Sequence, residues 1–294
     1  MFFVLSMMVA SAFAGTIHIV TTTQDLKSIT ELIGGNKVDV FGIATGYQNP
    51  HFVDPKPSYI IKLSNADMFV TVGLDLETGW SPQLVGSSRN PKIQKGNAGY
   101  VDASVGIQLM QVPSSINRGE GDIHIYGNPH YWLDPLNGKI MARNICNGLE
   151  RISPENKNFF EANLKTFDET IDTKMKSWQM QMAKYNGAKV IAYHNEWCHF
   201  ENRFGLQIVD FIEPKPGIPP TPSQLVKIIN EVKRNSIKVI ISSPYFTTSS
   251  SDVVAKQTGA KVLTLATSAG AFENVKSYFD VFDYNIDQLV SALK

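Results

Sequence analysis

Short runs of β-branched residues alternate along the chain with amphipathic stretches at helical spacing. Residues 16–23 read Thr-Ile-His-Ile-Val-Thr-Thr-Thr, which is typical of a strand. Helical spacing follows from Asp25 to Ile33 and ends at Gly34-Gly35, and a second strand is predicted from Lys37 to Ile43. Because the order strand, helix, strand favours parallel pairing, the pattern predicts an α/β fold with a mainly parallel sheet.

The same alternation continues to the end of the chain. In the first half it predicts a helix at 58–64, a strand at 68–72 and a glycine-interrupted strand near 92–102. In the second half it predicts strands at 189–193, 207–212, 238–241 and 261–265, with helices at 196–204, 222–235, 251–258 and 284–293. We therefore expect two α/β lobes, each built on its own mainly parallel sheet flanked by helices.

The longest helical pattern lies between the two halves, from Ser153 to Lys184. Ser153 suits an N-cap and Pro154 suits the first helical position. Apolar residues then recur at three- and four-residue steps: Phe160, Leu164, Phe167, Ile171, Met175, Trp178 and Met182. At 1.5 Å per residue, about thirty residues span roughly 45 Å. One long helix is expected to form the back of both lobes.

The composition of the chain allows sizeable apolar cores, and its charge gives no sign of binding to nucleic acid or to an anionic membrane. Of 294 residues, 43% are apolar and 18% charged, which argues against disorder. The 27 basic and 27 acidic residues cancel, and no basic cluster indicates nucleic acid or an anionic membrane surface.

The first 14 residues are apolar and close on Ala12-Phe13-Ala14, which is typical of a signal peptide, although no basic residue precedes the apolar run. No later run reaches the roughly 18 apolar residues of a spanning helix. We expect a cleaved signal peptide at 1–14 and a mature protein outside the cytoplasm, with no direct membrane insertion.

Three of the six histidines follow predicted strands or lie in proline-stiffened loops. His51 and His130 each have prolines close by along the chain, which restrict the backbone around them. His194 directly follows the strand 189–193. Packing under a turn explains each histidine taken alone. Their shared placement favours a transition-metal site, and three imidazoles suit Zn²⁺ in particular.

Other polar residues near these histidines have candidate roles. Asp54 and Asp134 are expected to accept hydrogen bonds from the imidazole N–H groups. His18 lies inside the first strand and is interpreted as structural. Cys146 and Cys198 lie in different halves without CxxC spacing, so a disulfide between them stays open.

Four motifs together resemble the metal-binding solute-binding proteins of zinc and manganese ABC importers, the TroA/ZnuA-like cluster A-I family. They are Asn-Pro-His-Phe-Val-Asp-Pro-Lys-Pro-Ser (49–58), Gly-Asn-Pro-His-Tyr-Trp-Leu-Asp-Pro (127–135), Tyr-His (193–194) followed by an aromatic-rich helix and Arg-Phe-Gly-Leu (203–206), and Tyr-Asn (284–285). The further stretch Glu-Pro-Lys-Pro-Gly-Ile-Pro-Pro (213–220) resembles a proteobacterial subgroup of that family. The resemblance runs from about residue 16 to 294. It implies two α/β lobes joined by one rigid long helix, with a metal cleft between the lobes. It also implies His51, His130 and His194 as metal ligands.

With the resemblance, the chain divides into an N-terminal lobe at 15–150, a linking helix at 151–186 and a C-terminal lobe at 187–294. The expected function is that of a monomeric periplasmic protein that captures a divalent transition metal and delivers it to the membrane permease of an ABC importer. Zinc is the expected cargo and manganese the alternative. No catalytic residue is expected.

The fourth ligand position departs from the family pattern. The family often supplies an Asp after the strand that corresponds to 261–265, where this chain has Ala266. Some members carry a Glu after the preceding strand, where this chain has Ser243. A water or anion, His124, His199 or a carboxylate is each open as the fourth donor.

A secreted zinc-dependent hydrolase is the alternative function, because catalytic zinc also uses three protein ligands and an open position. Such an enzyme needs a general base beside the metal. The chain has no HExxH motif, and Glu196 is the one candidate close to His194 in sequence.

Overall fold

The computed structural model of the chain describes residues 15–114, 124–215 and 217–294. The signal peptide expected at 1–14 lies outside the described residues. None of the helices in the described ranges combines the length and the apolar character that crossing a membrane requires.

The first sheet contains four parallel strands in the spatial order β2-β1-β3-β4. They are β1 (Ile17–Thr21), β2 (Val38–Gly42), β3 (Met68–Thr71) and β4 (Tyr100–Asp102). Four helices flank them: α1 (Gln24–Gly34), α2 (Pro57–Ser64), α3 (Ser81–Ser87) and α4 (Pro135–Ile152). Because the strands are parallel, their carboxyl ends share one edge of the sheet.

The long helix α5 (Lys157–Met182) follows, and the seven apolar residues predicted from the helical spacing are all buried. It packs against α1 and α4 beside the first sheet and against the C-terminal helix α9 (Tyr278–Leu293). One connected apolar core therefore includes Ile29 of α1, Ile171 of α5 and Phe282 of α9.

The second sheet repeats the first, with four parallel strands in the order β6-β5-β7-β8. They are β5 (Lys189–Ala192), β6 (Gln207–Phe211), β7 (Val239–Ser242) and β8 (Lys261–Thr264). Its other helices are α6 (Cys198–Phe204), α7 (Pro222–Arg234) and α8 (Ser249–Thr258). Two parallel sheets flanked by helices, with a long helix between the lobes, confirm the predicted fold.

Helix α4 was not predicted, because residues of low helix propensity interrupt its sequence. It contains two glycines and three asparagines, which have low helix propensity. The glycines allow close packing instead. A Cβ at Gly138 would lie 2.5 Å from the Tyr278 ring, and one at Gly148 would lie 2.4 Å from Val101. Tertiary packing therefore stabilises a helix that local propensity does not favour.

Three predicted element bounds are wrong. Ser153 does not cap α5; it ends α4, and its hydroxyl donates to the Glu155 carboxylate at 2.5 Å. The strand expected near 92–102 is limited to β4, because residues 91–93 form a turn of 3-10 helix. The last helix begins at Tyr278 rather than 284, because Ser277 and Asp280 form a capping box there.

Polar contacts join the lobes at the cleft side. Arg203 of α6 donates from Nε and Nη2 to the two oxygens of Asp134, at 2.7 and 2.8 Å. The indole N–H of Trp132 donates to the carbonyl of Thr267, which follows β8, at 2.8 Å. Both contacts connect the loop around His130 to the second lobe.

The start of α1 forms a second junction with the loop after β8. The buried carboxylate of Asp25 accepts hydrogen bonds from the Ser268 hydroxyl at 2.5 Å and from the Ala269 amide at 3.0 Å. Gly46 lies against the same loop, and a Cβ there would be only 2.1 Å from the Ala269 carbonyl oxygen. The lobes are in backbone-to-backbone contact at this point.

Candidate metal centre

The structure brings His51, His130 and His194 together in the cleft between the lobes. One ring nitrogen from each lies within 4.8 Å of the other two. His51 is in the loop after β2, His130 precedes a short 3-10 turn at Tyr131–Leu133, and His194 lies two positions beyond the end of β5. Two lobes therefore contribute to one group of imidazoles.

The spacing of the first-lobe pair is close to what one metal ion needs. Nε2 of His51 lies 3.0 Å from Nε2 of His130. Zn–N bonds near 2.0–2.1 Å with tetrahedral angles place two nitrogens about 3.3 Å apart. The ring centroids of His51 and His130 lie 5.9 and 5.7 Å from that of His194. A small movement is enough for a shared ion.

Asn128 orients His130. Its side-chain oxygen accepts from the His130 backbone N–H at 3.1 Å and from the ring Nδ1 at 2.9 Å, so Nε2 faces the cleft. The amide nitrogen of Asn128 donates to Gln111 Oε1 at 3.0 Å and to the Asn195 carbonyl at 2.9 Å. Asn195 belongs to the second lobe, next to His194. The group that orients one histidine is therefore tied to the opposite lobe.

Glu213 orients His194. The Nδ1 of His194 donates to Glu213 Oε2 at 2.5 Å, and both side chains are buried. The other carboxylate oxygen accepts from the Gly217 amide at 2.9 Å. A carboxylate on Nδ1 directs Nε2 toward a metal and makes it a stronger donor. Glu213 follows β6, which neighbours β5 in the sheet, so the two residues meet at its carboxyl edge.

The expectation that Asp54 and Asp134 orient the histidines is wrong. Asp54 is exposed. Asp134 is buried, but its carboxylate caps the N-terminus of α4 by accepting from the Leu136 amide and pairs with Arg203. Asp134, the acidic residue nearest to His130 in the sequence, therefore caps helix α4 and joins the lobes instead of orienting an imidazole.

Burial keeps the first-lobe imidazoles neutral. It lowers the pKa of His51 and of His130 well below the usual value of 6.5, and the neighbouring imidazoles lower both further. Only a neutral imidazole can bind a metal ion. These two rings are therefore in their metal-binding form at neutral pH.

His124 lies at the rim of the group. Its ring centroid is 4.9 Å from that of His51 and 6.2 Å from that of His130. Burial lowers its pKa to about 4, and the charge of His194 adds to the effect. His124 is not part of the group whose ring nitrogens all lie within 4.8 Å of one another. It therefore adjoins that group as a fourth imidazole.

The two positions that are acidic in the resembled family carry no ligand side chain here. Ala266 is buried, and its backbone N–H and carbonyl are both bonded at 2.7 Å by the Asn285 amide. The Ser243 hydroxyl donates to the carboxylate of Glu196, which also accepts from the Tyr245 hydroxyl. A buried acid thus lies next to Ser243. Its pKa is raised by burial, an effect that the charge of His194 and the two hydroxyls oppose.

The remaining histidines and the cysteines lie outside the group. His199 is buried in α6, where it donates to the Asn128 carbonyl, and burial lowers its pKa. His18 is exposed in β1, with Nδ1 3.4 Å from Asp39. Cys146 and Cys198 are buried free thiols that do not pair with each other, and burial raises the pKa of each to about 12.

Comparison with known proteins gives a consistent assignment. A family model described as "Zinc-uptake complex component A periplasmic" matches residues 19–292. The manganese ABC transporter substrate-binding lipoprotein PsaA of Streptococcus anginosus is 26% identical, over 94% of this chain and 89% of its own length. The high-affinity zinc uptake system protein ZnuA of Bacillus subtilis (strain 168) is 27% identical, over 94% of this chain and 88% of its length.

Solved structures support the fold. A crystal structure of ZnuA superposes with a TM-score of 0.80 at 24% identity, and the alignment covers 95% of this chain and all of that one. Related proteins are thus named for zinc in one case and for manganese in another, so their names leave the metal of this chain to be argued from its own residues.

Proposed function

The chain belongs to the family of periplasmic zinc-uptake component A proteins, metal-binding substrate-binding proteins of ABC transporters, and we propose that its cargo is zinc. In this proposal His51, His130 and His194 hold one Zn²⁺ in the cleft. The protein carries the ion through the periplasm as a monomer and passes it to the permease of an ABC importer. The metal is cargo, and no step of the cycle requires the chain to catalyse a reaction.

The observation that carries the proposal is the donor set. Three imidazoles converge within 4.8 Å, and no carboxylate belongs to that group. Imidazole suits zinc, whereas manganese prefers carboxylate, carbonyl and water oxygens. The convergence of imidazole nitrogen donors therefore supports zinc over manganese.

For the fourth position we propose a water molecule or an anion, with His124 as an accessory donor. Neither Ala266 nor Ser243 offers the acidic side chain that the family pattern has in the second lobe. The His124 ring lies close enough to His51 to reach the ion after a short movement of its loop. This arrangement would let cargo arrive through an outer donor before the three inner imidazoles take it.

The contacts of Glu196 argue against the hydrolase alternative. A general base must reach the metal-bound water and be open to accept its proton. Glu196 is fully buried, and each of its two oxygens already accepts a hydrogen bond from a hydroxyl group. Binding without catalysis is therefore the function that this geometry favours.

Metal titration of the chelator-stripped protein tests the proposal. We expect one Zn²⁺ per chain, with Mn²⁺ bound more weakly in competition experiments. His130→Ala should lose most of the zinc affinity, while His18→Ala should bind as the wild type does, because His18 is exposed in β1 and distant from the cleft. Uptake of manganese but not zinc by the wild type would contradict the assigned cargo.

A further inference from the structure

A fully buried carboxylate at position 196 is left unexplained by the three-histidine site. Glu196 has no exposed surface, and its two oxygens accept from the Ser243 and Tyr245 hydroxyls of the loop after β7. An ionised carboxylate in such a place is stabilised by a nearby cation, and the cleft beside it is where a metal cation would bind.

The location of Glu196 indicates which cation that is. Its amide donates to the His194 carbonyl at 3.0 Å, in the turn that carries this imidazole into the cleft. The Ser243 hydroxyl holds the carboxylate at the carboxyl edge of the second sheet, beside the strand that ends near His194. Glu213 accepts a hydrogen bond from Nδ1 of the same imidazole. Two buried glutamates therefore interact with the second-lobe histidine.

Charge balance shows what these glutamates do. A divalent ion on three neutral imidazoles keeps its double positive charge in a low-dielectric cleft, which is unfavourable without nearby anions. Asp54 is exposed and Asp134 is paired with Arg203, so neither is available. Glu213 supplies one negative charge. Glu196 is the buried carboxylate that can supply the other.

We propose that Glu196 is the second counter-charge of the metal centre and makes the site selective for divalent over monovalent cations. This inference rests on the proposed zinc-binding function and assigns a specificity role to a residue outside the three imidazoles. The carboxylate stays hydrogen-bonded to the Ser243 and Tyr245 hydroxyls. It acts on the metal ion through its charge and need not coordinate it. Some members of the resembled family have a Glu at the position of Ser243. In this chain the Ser243 hydroxyl instead binds the carboxylate of Glu196 at that place.

Replacing the charge without changing the shape separates this role from a structural one. Glu196→Gln keeps a side chain of equal size that can still accept from a hydroxyl. Zn²⁺ would then keep one uncompensated charge, while Ag⁺, which also binds imidazole, would be balanced by Glu213 alone. We expect Zn²⁺ affinity to fall about 10–100-fold, as for other residues just outside metal ligands. Ag⁺ affinity should fall less, by about the square root of that factor, because a single charge interacts half as strongly with the lost carboxylate.

The experiment is a pair of titrations, with zinc nitrate and silver nitrate in chloride-free buffer, on the wild type, Glu196→Gln and Glu201→Gln. Glu201→Gln is the matched control, because it removes a charge from α6 at a carboxylate that accepts from the Ile208 amide. Its ratio of zinc to silver affinity should equal that of the wild type. Adding Ser243→Asp to Glu196→Gln should restore the divalent preference by returning a charge to the adjacent position.

Two results would overturn the inference. One is a Glu196→Gln variant that binds both metals with wild-type affinity. The other is an equal loss of both metals, which indicates damage to the site rather than lost charge; a double variant that regains zinc preference would exclude such damage. Failure of the wild type itself to bind Zn²⁺ would instead remove the proposed function, so the two failures are distinguishable.

Discussion

Asp134 and Arg203 face each other across the lobe boundary in a two-pronged ion pair, with N···O distances of 2.7 and 2.8 Å. The Asp134 side chain is 6% exposed and that of Arg203 26%. Arg203→Ala leaves a buried carboxylate without its counter-ion. We expect a loss of about 2–3 kcal/mol in the free energy of unfolding, somewhat less than for a fully buried pair. Urea denaturation of the metal-free protein measures it.

The exposed pair of Arg143 and Glu161 is the matched control for that measurement, with side chains 47% and 38% exposed. Arg143→Ala should cost less than about 1 kcal/mol, because water screens exposed ion pairs. Equal costs for the two arginine variants would mean that the lobe-spanning pair does not stabilise the fold beyond an ordinary surface contact.

Alanine variants of the four cleft histidines should differ in which property of zinc binding they lose. His51→Ala and His130→Ala should remove most of the zinc affinity, because these proline-restrained residues form the first-lobe half of the site. His194→Ala should keep weak binding but lose the rise in melting temperature with added zinc, a rise that grows with ligand concentration over Kd. Zinc titration and thermal melting of each variant measure both effects.

His124→Ala distinguishes an accessory donor from a primary ligand. If His124 only assists arrival and departure of the ion, stopped-flow rates of zinc uptake should change more than the equilibrium affinity. A loss of affinity as large as that of His130→Ala would show that His124 fills the fourth position, left open by Ala266 and Ser243.

Gly46→Ala tests the backbone contact between the lobes. The new Cβ would lie 2.1 Å from the Ala269 carbonyl oxygen, so one backbone must move. We expect a loss of about 1–3 kcal/mol in unfolding free energy together with weaker zinc binding, since His51 and His194 are on opposite sides of the junction. Gly86→Ala in α3 meets no atom within 4 Å and should be neutral or stabilising by up to about 1 kcal/mol. Similar stabilities for the two variants would contradict the importance of the contact.

Asp25 should make stability depend on pH. Burial raises its pKa from 3.8 to about 7, against the hydrogen bonds from Ser268 and Ala269. Because the folded pKa exceeds the unfolded one, the protonated form favours folding. This contribution is complete below pH 3.8 and is lost as pH rises through 7. At alkaline pH the penalty approaches about 4 kcal/mol, at 1.36 kcal/mol per pKa unit.

Asp25→Asn removes that titration while its amide can still bond Ser268 and Ala269. Its unfolding free energy relative to the wild type should therefore increase between pH 5 and pH 8, the span over which we expect most of the loss. Urea denaturation at both pH values tests the expectation. A difference between variant and wild type that does not change with pH would refute it.

Repetitive patterns made most of the fold predictable from the sequence. The apolar stripe of α5 repeats over a long stretch, and the strands combine β-branched residues with clear glycine breaks. Helix α4 escaped prediction because Gly138 and Gly148 lower helix propensity, and the packing that compensates for them depends on Tyr278 and Val101, which are distant in sequence.

In the site too, features set by neighbouring residues in the sequence were predictable, whereas contacts between distant residues were not. His51, His130 and His194 could be singled out because their prolines and strand ends are neighbours along the chain. Asn128 lies two residues from His130 and was overlooked in favour of the charged Asp134. Glu213 begins a motif that the sequence analysis singled out, but its contact with His194 depends on the strand order, since β6 is beside β5 in the sheet.

Because one connected core runs from α1 through α5 to α9, we expect the two lobes to unfold together as one cooperative unit. An ion bound in the cleft therefore stabilises residues far from it, including the back of the molecule. We expect the metal-free protein to open as a whole and to be degraded sooner than the loaded one. The lifetime of the carrier would then follow the supply of its cargo.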